Sequence, residues 1–137
     1  MPSNSAPSSS GVALRRITQI AVVVSDIARA TAFYRDTLGL RLLFEAPPGL
    51  AFFDCGGVRL MLGPAEGLDA AGASSIIYYD VADIAGTHAT LVSRGVLFDE
   101  APHFIAPMGD RDLWLAAFRD SEGNRLALMS EVARKGG

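Results

Sequence analysis

A single cysteine, Cys55, in 137 residues excludes an internal disulfide and a zinc site built from several cysteines of one chain. It fits a reducing, cytoplasmic location. Lys and Arg form no basic block and the net charge is -3, so the electrostatic footprint of a nucleic-acid binder is missing. No apolar run reaches the ~18 residues that a membrane span needs. There is no Gly-rich phosphate loop of the required spacing and no serine nucleophile elbow, which argues against nucleotide use and serine hydrolysis. The first twelve residues, rich in Ser, Pro, Asn and Ala, have neither the basic start nor the apolar stretch of a secretory signal. Residues 1–14 read as a disordered tail and 133–137 as a frayed end.

What remains is an ordinary globular balance, 50% hydrophobic and 20% charged, long enough for one domain with a sizeable core. That domain, 15–132, carries an internal repeat. Gln19–Ile27 reads as a buried strand running into a helix, and Ile76–Ile84 echoes it at a shift of 57 positions, with Ile20 on Ile77, Val24 on Val81 and Asp26 on Asp83. Gly39 falls on Gly95, and Gly57, Leu60 and Leu62 fall on Gly123, Leu126 and Leu128. A repeated unit of this size is a supersecondary block that cannot bury its apolar face alone.

Each unit reads as β-α-β-β-β. Asp26 and Asp83 stand at helix N-caps, and Gly39 and Gly95 follow the helices where positive φ is wanted. Pro47-Pro48-Gly49 is a turn and Gly56-Gly57 a tight hairpin. Module one spans about 15–64 and module two about 74–131, with a Gly- and Ala-rich linker between them. About ten extra residues in module two fall around Glu100–Asp112, read as a loop because of Pro102, Pro107 and Gly109. The fold class is therefore α+β: two tandem βαβββ modules forming curved mixed sheets around a cavity, with helices outside.

Strand side chains alternate between faces. One face collects Ile20, Val22, Val24, Val58, Leu60, Leu62, Ile77, Tyr79, Val81, Leu126 and Leu128, and should pack under the helices. The other mixes Gln19, Ala21, Val23, Arg59, Met61, Ile76, Tyr78, Asp80, Arg125, Ala127 and Met129. Apolar walls with a few placed polar groups suit a small-molecule pocket; a partly solvated sheet face is the plainer alternative. On it, Arg59 and Arg125 occupy equivalent places and, with Arg111, are candidates for binding an anion through the guanidinium fork. Tyr78 and Asp80, two apart, are a candidate pair for orienting a ligand or moving a proton. His103 is a candidate proton shuttle beside the cavity mouth or a surface loop residue. His88 reads as a packed structural histidine. Trp114 and Phe52 stack on a flat ligand or fill the core, and parity does not fix which way Trp114 faces. Cys55 has no adjacent base in sequence.

Ile20–Tyr34 with Gly39, the second copy Ile77–Ile84 with Gly95, and the ending Asp120–Leu128 (DSEGNRLAL) resemble the vicinal oxygen chelate superfamily of glyoxalase-type lyases, bleomycin-resistance proteins, extradiol dioxygenases and methylmalonyl-CoA epimerases. Ser121 replaces a usual proline of that ending. The resemblance covers about Ile17 to Ser130 and implies paired modules around an open cavity, frequent homodimers, and in metal-using members four converging ligands. Those positions fall here on Gln19, Met61 (or Leu60, with a slip of one), Ile76 and Ala127. Ile and Ala supply no donor, and methionine is a poor ligand for such ions. No metal cofactor is expected from this set; a site completed by His103 or Asp80, or shared across a dimer, stays open.

Three functional classes follow. The first is metal-independent binding of a small organic molecule in the sheet cavity, with Gln19, Arg59, Met61, Arg111, Trp114 and Arg125 as lining residues. The second is a lyase, isomerase or dioxygenase that uses a non-standard metal site or His103, Tyr78 and Asp80. The third is a non-catalytic partner subunit. The expected partners are a small-molecule ligand and a second copy of the chain, without nucleic acid or membrane.

Overall fold

The computed structural model describes residues 12, 14–64 and 75–134. Module one runs β1 (Gln19–Val23), α1 (Ile27–Ala32), β2 (Arg41–Ala46), β3 (Leu50–Cys55) and β4 (Val58–Gly63). Module two runs β5 (Ile77–Asp80), α2 (Ile84–Ser93), β6 (Phe98–Met108), β7 (Arg111–Arg119) and β8 (Arg125–Ala133). Each builds a four-stranded mixed sheet, ordered β1-β4-β3-β2 and β5-β8-β7-β6. In both, the first strand lies parallel to the last, which the intervening helix makes possible. The fold is α+β with two βαβββ modules, as the repeat implies. The expected tail (1–11 and 13), most of the linker (65–74) and the last three residues lie outside the described residues. At the other end β8 continues to Ala133, and Arg134 bonds Asp112 Oδ1 at 3.0 Å, so the ladder extends into the stretch expected to fray.

The local signals act as their chemistry dictates. Asp26 caps α1 by accepting from Arg29 N at 3.0 Å, and Asp83 caps α2 by accepting from Gly86 N at 3.0 Å. Gly39 and Gly95, at φ 79° and 91°, end the two helices in the left-handed region. One difference is that α1 widens into a π-helical segment over Phe33–Thr37, with Leu38 N bonding Phe33 O at 2.9 Å. Parity assigned the faces correctly: Val22, Val24, Leu60, Leu62, Leu126 and Leu128 are all buried under the helices. They join Tyr34, Phe53 and Phe118 in one core shared by both modules. His88 packs edge-on against Phe98 at 4.4 Å between ring centroids, as a structural histidine should.

The extra residues of module two are a correction. They form no loop but lengthen β6 and β7 into a hairpin that turns at Gly109-Asp110. β6 is an edge strand with register shifts between Glu100 and His103 and between Phe104 and Ala106. Edges and bulges are where a sheet tolerates proline, so Pro102 and Pro107 do not break it.

The modules are clamped by the turn between β7 and β8. Asp120, buried, accepts from the Tyr34 hydroxyl at 2.6 Å across the module boundary, from Glu122 N and Asn124 N at 2.8 Å each, and from Asn124 Nδ2 at 2.9 Å. Asn124 Nδ2 also donates to Val23 O at 3.0 Å. Burial, then the Asp120 carboxylate, push the Tyr34 hydroxyl far above its usual range, so it remains a donor at every physiological pH. Tyr34→Phe should therefore lower stability by about 1.5–3 kcal/mol, the worth of a hydrogen bond to a charged group. Urea unfolding monitored by circular dichroism measures it, and an unchanged midpoint would deny the bond that value.

Candidate functional site

The sheet face opposite the helices carries the mixed-polarity residues. In module one, strand pairing lines them up across four strands. Gln19 is in register with Arg59, and Ala21 with Met61. Met61 is in register with Phe52, and Phe52 with Phe44. Arg59 Nε donates to Gln19 Oε1 at 2.6 Å, and Gln19 Nε2 points at Met61 Sδ at 3.9 Å. The Arg59 guanidinium carbon sits 5.6 Å from the centroid of the Phe52 ring, a cation–π distance. Phe52 in turn stacks on Phe44 with centroids 4.6 Å apart and planes 23° from parallel. The row is thus Phe44, Phe52, Arg59 and Gln19, each touching the next, with Met61 beside Gln19. Phe44 is 49% exposed despite its size.

Phe44 was not legible as part of this face. Leu42 pairs with Phe53 and Phe44 with Phe52, because a register shift between them puts two neighbours of equal parity on opposite faces. The signal a sequence reader had was only the apolar run Leu42-Leu43-Phe44, which looks buried on either side.

The equivalent places in module two are filled differently. Arg125 matches Arg59 but lies opposite Arg119, and Arg119 is paired with Asp99 at 3.2 Å. Ile76 stands where Gln19 does, so the module lacks an amide to hold that arginine. Ala127 and Ala117, in register, replace Met61 and Phe52. Tyr78 and Asp80 do share the helix-free face, opposite Ala127 and Met129, and both are exposed.

His103 does not join them. It is on β6, opposite Leu115, while Asp80 is on β5 at the other edge of the same sheet. Three strand spacings, roughly 14 Å of sheet, separate the two. Its Nδ1 lies 2.9 Å from Ala101 O. Trp114 shares the face of Ala116 and Phe118, packs against the core and meets Phe104 edge-on at 6.3 Å. Trp114 pairs with buried Ser130, which puts it on the helix side of the sheet. Arg111 spends its fork on its own sheet, donating from Nε and Nη2 to Glu131 O at 3.1 and 2.6 Å. Burial and neighbouring Asp54 push the Cys55 thiol up, the opposite of an activated nucleophile. An open cavity of about 370 Å³ lies on the helix side along Leu38, Thr87, Thr90 and Arg94, where Arg94 is held by Thr37 O at 2.8 Å.

The profile of the glyoxalase/bleomycin resistance protein/dioxygenase superfamily matches residues 16–128. The chain belongs to that superfamily. Solved structures agree on the fold. A superfamily member from Sphaerobacter thermophilus is 24% identical, with 86% of this chain and 98% of that one aligned at a TM-score of 0.71. A virulence protein from Salmonella typhimurium is 19% identical over 88% of this chain and 100% of that one, at a TM-score of 0.73. A lactoylglutathione lyase from Agrobacterium tumefaciens is 21% identical over 84% and 92%, at a TM-score of 0.67. Among curated proteins none matches. Identities this low speak for the fold, not for a shared reaction.

The superfamily's metal positions can be tested on this chain's own atoms. The Gln19 oxygen, the one hard donor of the set, already accepts the Arg59 Nε–H. A guanidinium bonded to a would-be ligand opposes a divalent cation at the same place. Ile76 and Ala127 offer no lone pair, and the thioether of Met61 is a soft one. Among the described residues no group of three or more His, Cys, Asp or Glu could hold a metal. The residues present do not fit the group.

Proposed function

We propose that this superfamily member binds a small organic molecule on the helix-free sheet face without a divalent metal. The observation that carries the reading is the Gln19–Arg59 bond, which turns a metal-ligand position into a hydrogen-bonded cation. Gln19, Arg59 and Met61 are its lining residues in module one. Arg125 is the lining candidate of module two. Self-association belongs to the same reading, because Phe104, Ile105, Met108 and Val132 leave exposed apolar surface at the hairpin end of module two. A reducing, cytoplasmic setting suits the single thiol. No helix among the described residues is long and apolar enough to cross a membrane.

The enzymatic alternative rests on Tyr78 and Asp80, which share a face and stand exposed. A lyase, isomerase or dioxygenase reaction would draw its acid or base from that pair and not from a contact between it and His103.

Elemental analysis of the purified, tag-free protein tests the proposal. After incubation with Zn, Ni, Mn and Fe and desalting, bound metal should stay far below one per chain. A ratio near one would overturn the metal-free reading and direct assays toward metal-assisted chemistry.

A further inference from the structure

Resting on that metal-free reading, we infer that Arg59 supplies the positive charge of the site and that its ligand is a planar aromatic carboxylate. Three observations on the helix-free face of module one converge on this chemistry.

The first is the state of the guanidinium. Its Nε–H is committed to Gln19 Oε1 at 2.6 Å, and no carboxylate lies within ion-pair distance among the described residues. Arg59 is exposed, and the one side-chain hydrogen bond seen for it among the described residues uses Nε and not the terminal Nη groups. Two parallel N–H donors on one rigid plane match the two oxygens of a carboxylate. Asp54 is in register with Arg59 on the adjacent strand, yet the two form no ion pair.

The second is preorganisation. An arginine on a surface strand ordinarily samples many rotamers, and binding must freeze them. Here the amide on one side and the Phe52 ring 5.6 Å below hold the head group before any ligand arrives. Module two provides the contrast within the same chain: Arg125 has Ile76 and Ala117 where Arg59 has Gln19 and Phe52, so neither support exists there.

The third is the platform. Phe44 and Phe52 are stacked with each other, Phe52 lies beside the cation, and Phe44 remains half exposed on the next strand. Flat rings on which another ring can stack favour a conjugated, planar ligand over a puckered aliphatic one. The carboxylate then lies toward β4 and β1 and the ring toward β3 and β2.

The test uses the full chain and defined probes in equilibrium dialysis: 2-naphthoate, its neutral isostere 2-naphthamide, the non-planar cyclohexanecarboxylate, and a set of neutral and cationic fragments. Naphthoate should bind at least ten-fold tighter than the amide and than cyclohexanecarboxylate. Arg59→Gln should bring naphthoate down to the level of the amide. Arg59→Lys should recover little, because one ammonium does not reproduce the fork. Phe52→Leu should weaken naphthoate by a larger factor than cyclohexanecarboxylate, because it removes the platform as well as one support of the guanidinium. Arg35→Gln, which removes the same charge from a residue paired with Asp36 on the helical surface, should change nothing. Equal affinity for acid and amide, or discrimination that survives Arg59→Gln, overturns the inference. If neutral or cationic fragments bind and naphthoate does not, the ligand class is wrong while metal-free binding stands. If no probe of any class binds, both fall.

Discussion

Asp120→Ala should cost about 3–5 kcal/mol, the range seen when one partner of a buried charged network is removed. The carboxylate accepts four hydrogen bonds, and three of its donors sit in its own turn while the fourth, Tyr34, belongs to the other module. Alanine strands the Tyr34 hydroxyl, on a side chain that is 0% exposed, together with two backbone N–H groups. Each buried group left unpaired carries a desolvation penalty of ~1–3 kcal/mol. For a chain of this size the loss corresponds to a drop in Tm on the order of 10–20 °C. Calorimetry reads it directly. Asp120→Asn is the informative companion: it keeps shape and one acceptor oxygen, so a loss close to that of alanine would show that the charge matters most. Tyr34→Phe combined with Asp120→Ala should cost little more than Asp120→Ala alone, since both remove the same bond. A shift below 3 °C for Asp120→Ala would mean that water satisfies the turn and that the modules are held by apolar packing alone.

This result bears on why the turn sequence is what it is. Residues 120–124 read from sequence as a turn, and the resemblance supplies a family ending, but neither says why Asp and Asn stand at its two ends. In the structure Asp120 ties its own turn, Asn124 reaches Val23 O, and Glu122 reaches the start of α1. The motif is a joint between modules. Nothing in local propensity reveals that, because every partner outside the turn is more than eighty positions away in the chain.

Elsewhere the legible parts are those fixed by near neighbours. The caps at Asp26 and Asp83 and the stops at Gly39 and Gly95 act within one helical turn, so the helices were readable, though the π-helical widening at Phe33–Thr37 was not. Alternation sorted Gln19, Arg59 and Met61 onto one face because β1 and β4 contain no bulge. Alternation failed where strands are irregular. In β2 the register shift sends Phe44 to the face of Phe52, and in β6 three shifts hide a strand of eleven residues behind two prolines. Trp114 needed its partner Ser130 before its side could be known. The site followed the same division. Arg59 and Gln19 were each identifiable, but their mutual bond depends on the parallel register of two strands forty positions apart.

Duplication leaves two copies of one sheet face, and this chain has specialised them in opposite directions. Module one places a ring, a thioether and an anchored cation at Phe52, Met61 and Arg59, whereas module two has alanines at the first two places and a cation without support at Arg125. Ile76 and Ala127, which carry no donor atoms, thus belong to the copy with the smaller side chains.

Glu122→Gln should lower stability by about 2–3 kcal/mol at pH 7 and should flatten the acid limb of the stability profile. The side chain is only 2% exposed yet fully partnered. Oε1 accepts from Ser25 N at 3.1 Å, Ser25 Oγ at 2.7 Å, Asp26 N at 2.9 Å and Arg29 Nη2 at 3.2 Å, and Oε2 accepts from Arg29 Nε at 2.8 Å and Ser121 Oγ at 2.9 Å. The Arg29 hydrogen bond holds the carboxyl far below the usual carboxylate range against burial, which pushes it up, with the Ser25 and Ser121 hydroxyls and Asp26 N–H adding to the depression. A depressed folded-state value means that the charged form stabilises the fold. Its contribution is complete above the unfolded value of 4.5 and is lost progressively as pH falls below it toward the folded value. Wild type and Glu122→Gln should therefore differ by a constant amount from pH 8 to about pH 5.5 and converge on acidification. Gln presents an NH2 group to an array made wholly of donors, so it cannot satisfy them all, while keeping the shape separates this effect from a packing defect. Urea titrations at a series of pH values supply the measurement. A difference that stays constant down to pH 3 would assign the stabilisation to hydrogen-bond geometry rather than to charge, and the joint between the modules would then be insensitive to acid.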